Sequence, residues 1–119
     1  MGNHNVELGR RGEDYAAAYL QRHGVQVLAR NWRCSIGELD LVCRDQRGVF
    51  AVEVKTRSSR RYGDGFEAVN AAKFQRLQRL LLCWAKSEEC WVNTLRIDVI
   101  EVYWGNGKPS LHHHREVTQ

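Results

Sequence analysis

Apolar residues first recur at helical spacing. Leu8, Tyr15, Ala16, Tyr19 and Leu20 fall on one face of a helix running from about Glu7 to His23. Gly24 stands where a helix end accepts a left-handed residue. Three runs rich in β-branched and aromatic residues follow: Val25 to Trp32, Ile36 to Arg44 and Val49 to Thr56. Arg57 to Gly65 is basic, carries no apolar periodicity and predicts a flexible segment. Phe66, Val69, Leu77, Leu80, Leu81 and Trp84 then mark a second helix from Phe66 to Lys86. Thr94 to Tyr103 reads as a strand with Leu95, Ile97 and Val99 on one face, and Gly105-Asn106-Gly107 as a turn. Ser110 to Val117 offers an edge strand. The order predicts an α/β fold, helices packed on a mixed sheet, in a single domain over residues 1–119.

The middle hairpin carries the chemistry. A turn centred on Gln46 and Arg47 pairs residues whose numbers sum to 93. Leu41 then opposes Val52, Cys43 opposes Phe50, and Leu39 opposes Val54, a wholly apolar face. A slip of one residue would mix the faces, so burial selects this register. The opposite face pairs Val42 with Ala51, Asp40 with Glu53, and Glu38 with Lys55. Directly opposed side chains have Cβ atoms roughly 5 Å apart. Asp40 and Glu53 are thus two carboxylates that repel unless a cation compensates. Lys55 lies about 7 Å along the same face. A divalent cation is the second compensation, and hard oxygen ligands suit Mg²⁺ or Mn²⁺. The same alternation also describes a solvated outer face.

Glu13 shares the stripe of Ala16, Ala17 and Leu20. An acid on a packing face is costly without a partner. If this helix covers the acidic side of the hairpin, Glu13 joins Asp40 and Glu53, and Gly9 and Gly12 permit close approach. The alternative is an exposed first-turn acid favoured by the helix dipole.

The net charge is +4, which permits a polyanionic partner without requiring one. The excess is local: residues 55–86 hold 8 Lys and Arg against 2 Asp and Glu. Arg57, Arg60 and Arg61 suit phosphate contacts, and Tyr62 suits stacking on an unpaired base. Lys73 and Arg76 extend the patch along the second helix. The four cysteines form no CxxC pair, and neither a signal peptide nor a membrane span is visible, which suggests a reduced, cytoplasmic protein. His112, His113 and His114 would alternate faces on a strand, so they do not converge on one ion. Asp98 reads as a local ion pair with Arg96, and the four tryptophans as core or near-core.

Gly37-Glu-Leu-Asp-Leu41 followed by Val52-Glu-Val-Lys-Thr-Arg57 resembles the signature of the PD-(D/E)xK nuclease superfamily. Gly12-Glu13, Gly24, Asn31, Ala68-Val69, Lys73, Arg76-Leu77 and Arg96-Ile-Asp-Val99 extend the likeness, in order, to the small bacterial YraN-like proteins, a family assigned to the endonucleases. Leu39 stands where that superfamily commonly has proline. The resemblance implies a restriction-endonuclease-like α-β-β-β-α-β core. It also implies metal-dependent hydrolysis of phosphodiester bonds in DNA rather than RNA, including branched or repair intermediates. On that pattern Glu13, Asp40, Glu53 and Lys55 are the catalytic set. Asp40, Glu53, the Val54 carbonyl and Glu13 (directly or through water) are the metal ligands. Archaeal Holliday-junction resolvases look similar in layout and act as dimers, so a homodimer is one expected arrangement. The rivals are a non-catalytic nucleic-acid-binding module on the same fold and a protein-interaction module.

Overall fold

The computed structural model describes residues 2–58, 69–105 and 107–118, with side chains from residue 6 onward. Helix α1 spans Gly2–Arg22, β1 Gln26–Cys34, β2 Gly37–Asp45 and β3 Gly48–Arg57. Helix α2 spans Ala71–Ser87, β4 Ile97–Tyr103 and β5 Ser110–His114. One five-stranded sheet runs in the order β1-β2-β3-β4-β5. Its pairs are antiparallel except β3 with β4, which is parallel. A parallel pair needs a crossover, and α2 lies within it. This is the α-β-β-β-α-β order implied by the resemblance, with β5 added at one edge.

The two helices cover opposite faces. Ala16, Ala17 and Leu20 of α1 pack on Leu41, Cys43, Phe50, Val52, Ile100 and Val102. Leu77, Leu80, Leu81 and Trp84 of α2 pack on Val42, Val49, Ala51, Ile97 and Val99. The condition under which Glu13 would join the acids, that the first helix covers their side of the hairpin, is therefore not met: α2 covers the Val42, Val49 and Ala51 face. Both hairpin faces are apolar at the β2–β3 turn end, and the amphipathic α2 takes the one that also carries the acids.

Several boundaries move for local reasons. α1 begins at Gly2, before its apolar stripe starts. It stops at Gly24, whose φ of 81° is left-handed. α2 begins at Ala71, not Phe66, because Asn70 is its N-cap: the Asn70 Oδ1 accepts from the Lys73 N–H at 2.8 Å. Phe66 lies outside the described residues, as do Arg60, Arg61 and Tyr62. β4 begins at Ile97 rather than Thr94, and β5 ends at His114. Trp84 is buried and Trp32 and Trp104 are half-buried, but Trp91 is 82% exposed, against the core expectation. All four cysteines are free.

On the α1 side Asp98 is fully buried and is more than a local ion pair. It accepts two hydrogen bonds from Arg96, at 3.0 Å each, and one from the Glu116 N–H at 2.9 Å. His113 Nε2 lies 2.8 Å away and its Nδ1 meets the Tyr19 hydroxyl at 2.9 Å. Arg96 also reaches Asp45 and lies over the Phe50 ring. The network joins β4, β5, the hairpin tip and α1.

Candidate active site

The hairpin register sums to 93 from Leu41↔Val52 to Asp45↔Gly48. It stops there. The pairings of Asp40 with Glu53, Leu39 with Val54 and Glu38 with Lys55 are not part of the ladder. Instead the Asp40 Oδ2 accepts from the Val54 N–H at 2.9 Å, so a carboxylate replaces a main-chain partner. β2 turns about its axis at this point. Leu39 packs with the α2 cluster, while Leu41 and Val54 face α1. Glu38 meets Arg33 across β1. The departure of β2 from β3 opens the sheet at the two acids.

Asp40 and Glu53 remain close neighbours. Burial, then the Glu53 charge, pushes the Asp40 carboxyl up to about 7, and Glu13 adds to the effect. Glu53 is paired with Lys73, whose Nζ lies 2.5 Å from its Oε2. Lys73 of α2 therefore points into this site. Lys55 follows two residues after Glu53 on the same strand and sits in register with Glu101 of β4.

Glu13 reaches the group from the α1 side although α1 covers the other face. It is half-buried, and burial raises its carboxyl above the usual range. Asn31 of β1, with a left-handed φ of 53°, gives it a side-chain hydrogen bond. Gly12 makes the approach possible: a Cβ there would overlap the Thr56 hydroxyl of β3. Gly9 has open space and no such role.

Arg57 is the last residue of β3 rather than part of a flexible loop, and its carbonyl accepts from the Trp104 N–H at 2.8 Å. Arg76 is exposed on α2, with its stem over Gly37. Among the described residues no three His, Cys, Asp or Glu side chains form a ready metal cluster. The donor set that remains is the Asp40–Glu53 pair with the adjacent main chain. That chemistry fits Mg²⁺, which binds through one or two carboxylates and keeps several waters.

Residues 12–102 match the model of the Uncharacterised protein family UPF0102. The chain belongs to this family. An Arthrobacter UPF0102 protein is 47% identical over 111 residues, covering 92% of this chain and 94% of its own length. The UPF0102 protein of Herpetosiphon aurantiacus is 37% identical over 122 residues, covering 99% and 98%. Among solved structures, Pyrococcus furiosus SfsA in complex with Ca²⁺ aligns with a TM-score of 0.48 and 12% identity. The alignment covers 91% of this chain, which spans 63% of the SfsA chain. UPF0102 is the family to which the YraN-like pattern pointed.

In this UPF0102 chain the site holds polar residues that the sequence reading passed over. Glu101 is buried on the same face as Glu53 and Lys55. Its Oε1 meets His114 Nε2 at 2.8 Å, and its Oε2 accepts from the Tyr103 hydroxyl at 3.0 Å. An acid inside the apolar run Ile97 to Val102 was the available signal. His112 and His114 lie on this face and His113 on the other, as strand alternation requires. Among the described residues no helix is long and apolar enough to cross a membrane.

Proposed function

We propose that this chain is a metal-dependent nuclease that hydrolyses phosphodiester bonds in DNA. The observation that carries the reading is the break in the hairpin at Asp40. There two carboxylates, Asp40 and Glu53, meet, and Lys55 lies two residues further along β3. A divalent cation between the two carboxylates would relieve the repulsion that raises Asp40.

Asp40, Glu53 and the Val54 carbonyl would hold Mg²⁺ or Mn²⁺, with Glu13 binding directly or through water. The bound ion supplies Lewis-acid polarisation of the phosphate and a more acidic water. Lys73 would withdraw from Glu53 as the site loads, exchanging one cation for another. Lys55 would orient or deprotonate the attacking water, or stabilise charge on the phosphate in the transition state. Arg57, Arg60, Arg61, Arg76 and the released Lys73 would contact phosphates, and Tyr62 would stack on an unpaired base.

One observation favours the rival, a DNA-binding module without catalysis. The Lys73 ammonium already neutralises Glu53, which is what a site retired from metal binding would show. A panel of duplex, single-stranded, flap and four-way-junction DNA with Mg²⁺ or Mn²⁺ separates the two. Wild type should cleave at least one substrate. Asp40→Asn and Lys55→Ala should each lose at least 100-fold in rate, a typical cost of removing a catalytic group, while DNA binding persists. Full cleavage by the Asp40→Asn protein would sink the assignment. Binding without cleavage by wild type would establish the rival.

A further inference from the structure

We infer that Arg57 forms a second phosphate subsite next to the scissile position, with Glu101 as the residue that positions it. The inference rests on the nuclease reading and concerns how that site grips its strand.

Glu101 is 2% exposed. A buried carboxylate is retained only when its partners satisfy it. Here both oxygens are engaged: Oε1 by His114 at 2.8 Å, and Oε2 by the Tyr103 hydroxyl at 3.0 Å. The Tyr103 phenol is raised above its ordinary value by burial and by Glu101, so it stays a donor. The anion anchored in this way faces Arg57, whose Nε lies 3.7 Å from Oε2. Arg57 is thus oriented by an ion pair with Glu101 and a side-chain hydrogen bond to Tyr103. A guanidinium carries five donors, more than these two partners use, so donors remain for a phosphate. The Arg57 side chain is 40% exposed, within reach of a ligand. Its backbone is fixed by the Trp104 N–H.

The spacing identifies the ligand. Lys55 and Arg57 are in register with Glu101 and Tyr103, on one face of β3. Two residues along a strand span roughly 7 Å, the order of the separation between neighbouring phosphates on one nucleic-acid strand. With the scissile phosphate at Lys55, the next phosphodiester of the same strand falls at Arg57. Glu101 touches no substrate in this arrangement. It prevents a long, entropically free side chain from sampling other rotamers, which is how preorganisation strengthens binding.

The test is binding of a fluorescent 20-mer DNA, duplex and single-stranded, in EDTA across a salt series, with thermal melting recorded for each variant. Arg57→Ala should flatten the dependence of log Kd on log salt by about 0.9 on duplex or 0.7 on single strands, one phosphate contact. Glu101→Gln should weaken binding several-fold, and the Arg57→Ala/Glu101→Gln double variant should bind like Arg57→Ala alone. Tyr103→Phe keeps the ring and removes one anchor. It should shift affinity in the same direction, and it decides the matter if Glu101→Gln does not fold. Wild-type affinity and slope in folded Glu101→Gln and Tyr103→Phe would overturn the inference, as would additive losses in the double variant. A wild-type protein that neither binds nor cleaves DNA would overturn the nuclease reading itself.

Discussion

Asp40 is where the chain departs from a regular hairpin, and its titration should be visible in stability. Its carboxyl is raised from 3.8 to about 7 in the fold, so the folded state favours the protonated form. The stabilisation is full below about pH 4 and is lost as pH rises through 7. A three-unit shift corresponds to roughly 4 kcal/mol as an upper bound, reduced where solvent reaches the group. Without divalent cations, the melting temperature of wild type should fall between pH 4 and pH 7. Asp40→Asn should flatten that fall, and Mg²⁺ should restore wild type near pH 7. A melting curve with the same pH profile in wild type and Asp40→Asn would remove the argument. Asp98 has the opposite sign. Its carboxyl is lowered, with burial opposing the His113 and Arg96 hydrogen bonds. Its contribution is therefore present above about pH 4 and is lost as pH falls through its folded value.

At the scale of elements, contact between α1 and β3 depends on Gly12. Gly12→Ala would drive a methyl into Thr56, and overpacking of this kind costs about 1–3 kcal/mol. Denaturant unfolding should show that loss, and Thr56→Ala in the same chain should recover part of it. Recovery would place the strain at this contact, whereas an undiminished loss would refer it to the helix itself. Much of the element pattern was legible beforehand. The Gln46-Arg47 turn and the apolar face of Leu41, Cys43, Phe50 and Val52 imposed the hairpin register, because a slip would mix that face with the one carrying the acids. The same logic failed below Leu41. It assumes that each strand continues its alternation, and nothing local in Leu39-Asp40-Leu41 announces that Asp40 will take the Val54 N–H. The start of α2 was misplaced for a simpler reason. Val69 and Phe66 extend the apolar periodicity, but Asn70 competes through its side chain and sets the boundary.

For the molecule as a whole, the buried polar groups divide between the faces. The Asp98 network holds β4, β5, the hairpin tip and α1 together, while Glu101 serves the face with the candidate site. Removing one partner of a buried ion pair costs about 3–5 kcal/mol, a large share of the 5–15 kcal/mol typical of a domain. Asp98→Ala should therefore unfold at far lower urea than wild type. A combined Arg96→Met/Asp98→Leu variant should recover part of that loss, since it removes the Arg96–Asp98 pair as a unit. Wild-type stability in Asp98→Ala would reduce the network to surface decoration.

By itself the sequence determined the order of elements and the hairpin register from the turn to Leu41 and Val52, because local spacing and an apolar face are enough for these. It named Glu13, Asp40, Glu53 and Lys55 as a candidate set through spacing together with the family resemblance. Only the tertiary structure decided which helix covers which face, where β2 leaves β3, and that Lys73, Glu101 and His114 share the site. Those outcomes depend on contacts between residues far apart in the chain. Lys73 and Glu53, or His114 and Glu101, carry no mutual signal in sequence until the parallel crossover through α2 and the edge strand β5 bring them together.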